Sequence, residues 1–259
     1  MSDVLLEMKN IQKSFPGVHA LDNANIEVRA GEVHALIGEN GAGKSTLMKV
    51  LNGIYKKDGG QIIYKGEEIE LSNPLDAQRR GIGMIHQELN LMPHLTVAEN
   101  IFIGKEPMVG GVFLDQKKAN KAAKELLASM HLDIDPTRRV KTLTVAKQQM
   151  VEIAKALNNN SELFVMDEPT SPLTDAEIEE LFRFIRQLRE AGRGIVYISH
   201  RLEELWRISD RITVMRDGQY VGTVNTADVN KQDIISMMVG RVIYEEPKQK
   251  SCVPADAPV

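Results

Sequence analysis

The sequence predicts an α/β fold: a parallel sheet flanked by helices, an antiparallel β region near the N-terminus, and a helical subdomain inserted between two core strands. Three observations carry this. Short apolar runs at 33–37, 163–166 and 195–199 have the length and composition of buried strands, and helical periodicity alternates with them. Turn signals at Lys65-Gly66 and Asp217-Gly218 sit between strand-like segments, as antiparallel hairpins require. From 93 to 157 the pattern turns helical.

Residues 4–8 and 24–28 read as strands, as does a hairpin over 61–69. Segment 33–37 runs directly into a glycine-rich loop. A helix over 44–51 follows, stopped by Gly53, a residue suited to the left-handed position past a helix end. In the helical block, 115–130 and 145–157 are the longest stretches. Thr174 and Glu177 form a capping-box pair. The helix they open carries Ile178, Leu181, Phe182, Ile185 and Leu188 on one face and ends at Gly192. A hairpin over 212–216 and 219–224 follows. Residues 245–259 are rich in proline, lysine and small residues and read as linker.

Composition narrows the function classes. The chain has 259 residues, a net charge of −4 and no basic stripe, so no nucleic-acid partner is expected. Cys252 is the sole cysteine, which precludes an intrachain disulfide. The sequence shows neither a membrane-spanning apolar run nor a leader pattern. The expectation is a cytoplasmic chain that reaches a membrane only through a partner.

Gly38-Glu39-Asn40-Gly41-Ala42-Gly43-Lys44-Ser45 fits the phosphate-loop pattern G-x-x-x-x-G-K-[ST], with Thr46 completing the candidate nucleotide-binding stretch. Glycines let successive N–H groups turn inward around phosphate oxygens, and the helix behind presents its positive end. Lys44 can reach the outer phosphates, and the Ser45 hydroxyl can hold Mg²⁺. A chance match in a glycine-rich turn is the plain alternative, but the strand before and the helix after supply the context the motif needs. The fold class is therefore a P-loop NTPase core.

Leu163-Phe164-Val165-Met166-Asp167-Glu168 is an apolar strand ending in two carboxylates. Side chains alternate along a strand, so the two need not share a role. Asp167 suits the Mg²⁺ shell, and Glu168 suits orienting or deprotonating an attacking water. An apolar run ending in Asp-Glu is weak evidence alone; paired with the phosphate loop it becomes specific.

Met166-Asp167-Glu168-Pro169-Thr170-Ser171, then Tyr197-Ile198-Ser199-His200, together with Gln87 after the apolar stretch 82–85, resemble the ABC ATPase family over residues 5–241. The resemblance implies that ATP with Mg²⁺ is bound and hydrolysed. It implies that Phe15 stacks on adenine, where the plain alternative is a core phenylalanine. Gln87 is implied to touch Mg²⁺ and sense the membrane partner, and His200 to contact the γ-phosphate. Ser171 and Thr174 fall in the loop that crosses to an opposing cassette.

The family's Leu-Ser-Gly-Gly-Gln signature, which acts on the nucleotide of the opposing cassette, stands here as Leu143-Thr144-Val145-Ala146-Lys147. Thr144 keeps a hydroxyl. Val145 and Ala146 add side chains where glycine would allow close backbone approach, so a weak clamp is expected. Pro172 is a second departure, at a position that is commonly alanine.

Segment 142–157, with Ser14-Phe15-Pro16-Gly17-Val18 and Ile198-Ser199-His200-Arg201-Leu202, is similar to the first cassette of ribose/galactose-type tandem sugar-import ATPases. The expectation is one cassette over 1–241, its helical subdomain at about 93–157, and a linker at 242–259 leading toward a second cassette. The implied partners are that cassette, a transmembrane sugar permease and, indirectly, a sugar-binding protein. A non-transport ABC ATPase acting on the ribosome is the alternative, although a charged helical arm would then be expected. A repair ATPase of the structural-maintenance type would need a long coiled coil between Lys44 and Asp167, where no sustained heptads occur.

Overall fold

The strands that carry the chemistry are apolar on both faces, so they must lie inside the molecule. The computed structural model describes residues 4–86, 89–110 and 113–240. Gln87, Arg241 and the expected linker at 242–259 lie outside them.

In chain order the elements are β1 (Val4–Phe15), β2 (Val18–Arg29), β3 (Val33–Ile37), α1 (Lys44–Leu51), β4 (Gly59–Tyr64), β5 (Glu67–Glu68), α2 (Pro74–Arg79), β6 (Ile82–Ile85) and α3 (Val97–Phe102). Then come β7 (Met108–Val109), β8 (Phe113–Leu114), α4 (Gln116–Ser129), α5 (Val145–Asn158), β9 (Leu163–Asp167), α6 (Asp175–Glu190) and β10 (Gly194–Ile198). The chain continues through α7 (Leu202–Ile208), β11 (Arg211–Arg216), β12 (Gln219–Asn225) and α8 (Lys231–Val239).

Among the described residues the central sheet has the order β12-β11-β3-β10-β9-β6. All its pairings are parallel except β11 with β12, the hairpin at Asp217-Gly218. Alternation divides its side chains between two cores. Val33, Ala35, Ile37, Phe164, Met166, Ile195 and Tyr197 pack on one face against α3, α5 and α6. Leu36, Leu163, Val165, Val196 and Ile198 pack on the other, against α1 and the second sheet, β2-β1-β4-β5.

The expected insertion is present, because β6 and β9 are paired neighbours while α3, α4 and α5 fall between them in the chain. It is not helical throughout. Pro107 and Gly110, the latter at φ 61°, interrupt the pattern, and a short β7–β8 hairpin forms there. The strand expected over 4–8 runs on to Phe15, through register shifts beside Asn10, whose φ is 51°. The second arm of the hairpin expected over 61–69 shrinks to Glu67–Glu68. Helices α2, α7 and α8 had no periodic signal long enough to announce them.

Candidate functional site

Register places the chemistry at one level of the sheet. Ile198 of β10 pairs with Leu36 of β3 on one side and Asp167 of β9 on the other. The loops leaving β3 and β9 therefore emerge together at the carboxyl ends of the strands, where open α/β sheets bind ligands.

The loop after β3 is held from behind. The Gly218 N–H, in the β11–β12 turn, donates to the Ala42 carbonyl at 3.2 Å, and Ala42 itself donates to the Glu39 carbonyl at 3.1 Å. Gly43 caps α1 at φ 94°, and a Cβ there would lie 2.9 Å from both the Ala20 carbonyl oxygen and Leu21 Cδ2. Only glycine fits. Lys44 Nζ donates to the carbonyls of Gly38 and Glu39 at 2.7 and 3.1 Å. Ala42 is buried, so only its backbone can reach a ligand, whereas Glu39, Asn40, Gly41 and Ser45 are exposed.

A cleft of about 330 Å³ joins residues 40–46 to Asp167, Glu168 and residues 18–20 of β2. The alternation argument for the two carboxylates does not hold here. Strand β9 ends at Asp167, and Glu168 turns away at φ 49°, in the left-handed region that side chains rarely adopt, so both line the same cleft. Its N–H donates to the Ile198 carbonyl at 2.9 Å. A residue held in such a conformation at the mouth of a cleft fits a functional position.

Electrostatics tie the parts together. Burial lowers the Lys44 ammonium from its usual range, against the pull of Glu168 and Asp167. Burial raises the Asp167 carboxyl, helped by Glu168 and opposed by His86, Lys44 and Lys49. His200 Nδ1 lies 3.2 Å from Glu168 Oε1, on an exposed ring. The donor set suits Mg²⁺: the Ser45 hydroxyl and the Asp167 carboxylate are hard oxygen ligands in a cleft whose two crowded carboxylates call for a cation.

Phe15 is half-buried at the end of β1, edge-on to Tyr55 at 5.0 Å, just ahead of the cleft-lining residues that begin at Val18. Ser171 is exposed, its N–H donating to the Glu168 carbonyl at 3.2 Å. Thr174 is exposed and joins the expected capping box with Glu177.

Segment 143–147 does not reach this cleft. Thr144 caps α5, accepting from the Lys147 N–H, while Thr144, Ala146 and Lys147 border a separate groove against α6. Ala146 is 6% exposed and belongs to the core, so its methyl does not obstruct the surface as expected; Val145, 43% exposed, alone adds bulk there.

His86 and Tyr55 were not singled out from the sequence. His86 directly follows β6, and burial lowers its imidazole while Asp167 pulls it up. Its position after an apolar strand next to β9 was the available signal, but pairing of β6 with β9 had to be known first.

The family described as ABC transporter matches residues 21–171. The chain is 59% identical over 243 residues to a putative ribose/galactose/methyl galactoside import ATP-binding protein 3 of Burkholderia ambifaria, covering 93% of this chain and 47% of that protein. It is 55% identical over 245 residues to the corresponding import protein of Albidiferax ferrireducens, covering 94% and 48%. The chain thus spans about half the length of the curated relatives it matches. Among solved structures, the ADP conformation of MJ1267, an ATP-binding cassette of an ABC transporter, superposes at a TM-score of 0.79 with 26% identity, covering 93% of this chain and all of that one. The dimeric MJ0796 cassette superposes at 0.73 with 26% identity, covering 86% and 99%.

Proposed function

The chain belongs to the ABC transporter family, and from that premise we propose that it binds and hydrolyses ATP to drive a membrane permease that imports a monosaccharide of the ribose or galactose kind. The observation that carries the ATPase reading is the single cleft shared by the phosphate loop, Lys44, Asp167 and Glu168. The relatives' names support the sugar-import reading, and favour transport over action on the ribosome.

In this reading the backbone N–H groups of residues 38–46 and the start of α1 cradle the phosphates. Lys44 exchanges its carbonyl partners for phosphate oxygens. Ser45, Asp167 and Gln87 would hold Mg²⁺, which when bound supplies positive charge to those oxygens. Glu168 takes a proton from the attacking water, and His200 steadies Glu168 and reaches the γ-phosphate. Phe15, with Tyr55 behind it, offers a face to the adenine.

The functional unit is one cassette over residues 1–241 with its helical block at 93–157, acting with a second ABC cassette, the permease and a sugar-binding protein at the cytoplasmic side of the membrane. Residues 143–147 serve the partner cassette's nucleotide, and the loop with Ser171 and Thr174 crosses to it. Among the described residues no helix is long and apolar enough to cross a membrane.

The test is ATP binding and turnover by the chain, followed by sugar-stimulated turnover after reconstitution with the permease and binding protein. Absence of ATP binding would remove the enzymatic reading. Turnover that no ribose- or galactose-type sugar stimulates would remove the substrate assignment alone.

A further inference from the structure

One carboxylate outside the cleft ties its two catalytic loops together. Glu204, in α7, is 5% exposed. Its Oε2 accepts three hydroxyls: Tyr197 at 2.7 Å, Ser199 at 2.8 Å and Thr170 at 3.0 Å. Thr170 belongs to the loop that leaves Glu168, and Ser199 immediately precedes His200. The Ser199 hydroxyl also accepts from the Arg201 N–H at 3.0 Å, and Arg201 Nη1 lies 3.6 Å from Glu204 Oε1. His200 is thus flanked by two residues that both lead back to one buried carboxylate.

We propose that Glu204 is a positioning residue for ATP hydrolysis: it clamps the Thr170 and Ser199 loops together and so sets the 3.2 Å contact between Glu168 and His200. This rests on the ATPase reading given above. A buried carboxylate with three donors is held strongly in place, because moving any donor away strands charge in the interior. The three donors come from two segments, Thr170 from one and Tyr197 and Ser199 from the other, and Thr170 and Ser199 lie within two residues of Glu168 and His200, the residues assigned to the chemistry. The phosphate loop has its own supports in the Lys44 and Gly218 hydrogen bonds, so nucleotide affinity is expected not to depend on this clamp.

The test uses the chain with histidine-selective isotope labelling, measuring ATP affinity, kcat, KM and the ring signals of the histidines. In Glu204→Ala, kcat falls about 10- to 100-fold, as misplacement by an ångström can cause. ATP affinity and KM stay as they were, and the His200 signal moves while those of His19 and His94 do not. Glu204→Gln, whose amide oxygen can still accept hydroxyls, recovers most of the rate and returns the His200 signal.

An unchanged kcat with an unmoved His200 signal would overturn the proposal. So would a loss of ATP affinity in step with kcat, which marks a general scaffold. Should Glu204→Ala not fold, Thr170→Val and Ser199→Ala each remove one donor while keeping the carboxylate, and the same His200 shift and selective kcat loss are required of them. If the unaltered chain binds no ATP, the function reading fails, and the His200 signal still decides whether Glu204 sets that contact.

Discussion

Lys44 reaches back across the phosphate loop and donates from Nζ to the carbonyl of Gly38, 2.7 Å away. The loop's own cation therefore stands where a phosphate oxygen can replace a carbonyl, and burial has already stripped part of its water. Lys44→Ala loses a charged donor to the ligand and a brace of the ligand-free loop. ATP affinity by titration calorimetry is expected to fall roughly 10- to 100-fold, the scale of hydrogen bonds to charged groups. Wild-type affinity in the variant would show that backbone N–H groups alone hold the nucleotide.

Glu168→Gln separates binding from chemistry. The amide fills the same space, but it cannot take a proton from water. Turnover should drop by about 100-fold or more, the usual contribution of a general base, while ATP affinity holds. Turnover that persists in the variant would move the base elsewhere in the cleft, with His200 the next candidate.

How much of this was legible depends on the range of the interaction. The Gly-rich run ahead of α1, Asp167 at the end of β9 and the Thr174 cap are local patterns, and each sits where its spacing put it. The Glu168 backbone was not legible, because its left-handed turn is imposed by the Ile198 carbonyl from a neighbouring strand. The opposite fates of Val145 and Ala146, adjacent in sequence, come from the way α5 rotates one methyl into the core. The Glu204 clamp joins three segments whose nearness exists only after β9 and β10 pair.

Glu152 supplies a pH signature outside the cleft. It is 5% exposed in α5, and burial pushes its carboxyl from 4.5 up to about 7. The folded state thus prefers the protonated acid. Its stabilising share is complete below the unfolded value of 4.5 and is lost as pH rises through about 7. At ~1.4 kcal/mol per pKa unit, the loss reaches ~3 kcal/mol in alkaline solution. Thermal unfolding of the wild type should weaken toward alkaline pH, and Glu152→Gln should weaken less. Parallel curves for the two proteins would place the titration elsewhere.

The last prediction concerns residues 145 and 146, where the expected double obstruction reduces to one side chain. Val145 is exposed at the first turn of α5, beside the capping Thr144, and would stand between the helix's N–H groups and an approaching surface. Ala146 packs in the core with only its edge on the groove, so Ala146→Gly removes a mostly buried methyl and adds backbone freedom while clearing little surface. If two copies of this chain close over ATP, each site receives this signature, and turnover should be slow. Val145→Gly should raise steady-state turnover several-fold at concentrations where dimers are shown to form, for a helix-propensity cost of about 0.5 kcal/mol. Ala146→Gly should lower thermal stability and leave turnover where it was. Equal gains from both variants would mean that helix flexibility, not bulk, limits closure. Fast turnover by the unaltered chain would show that Thr144-Val145-Ala146-Lys147 is a sufficient signature as it stands.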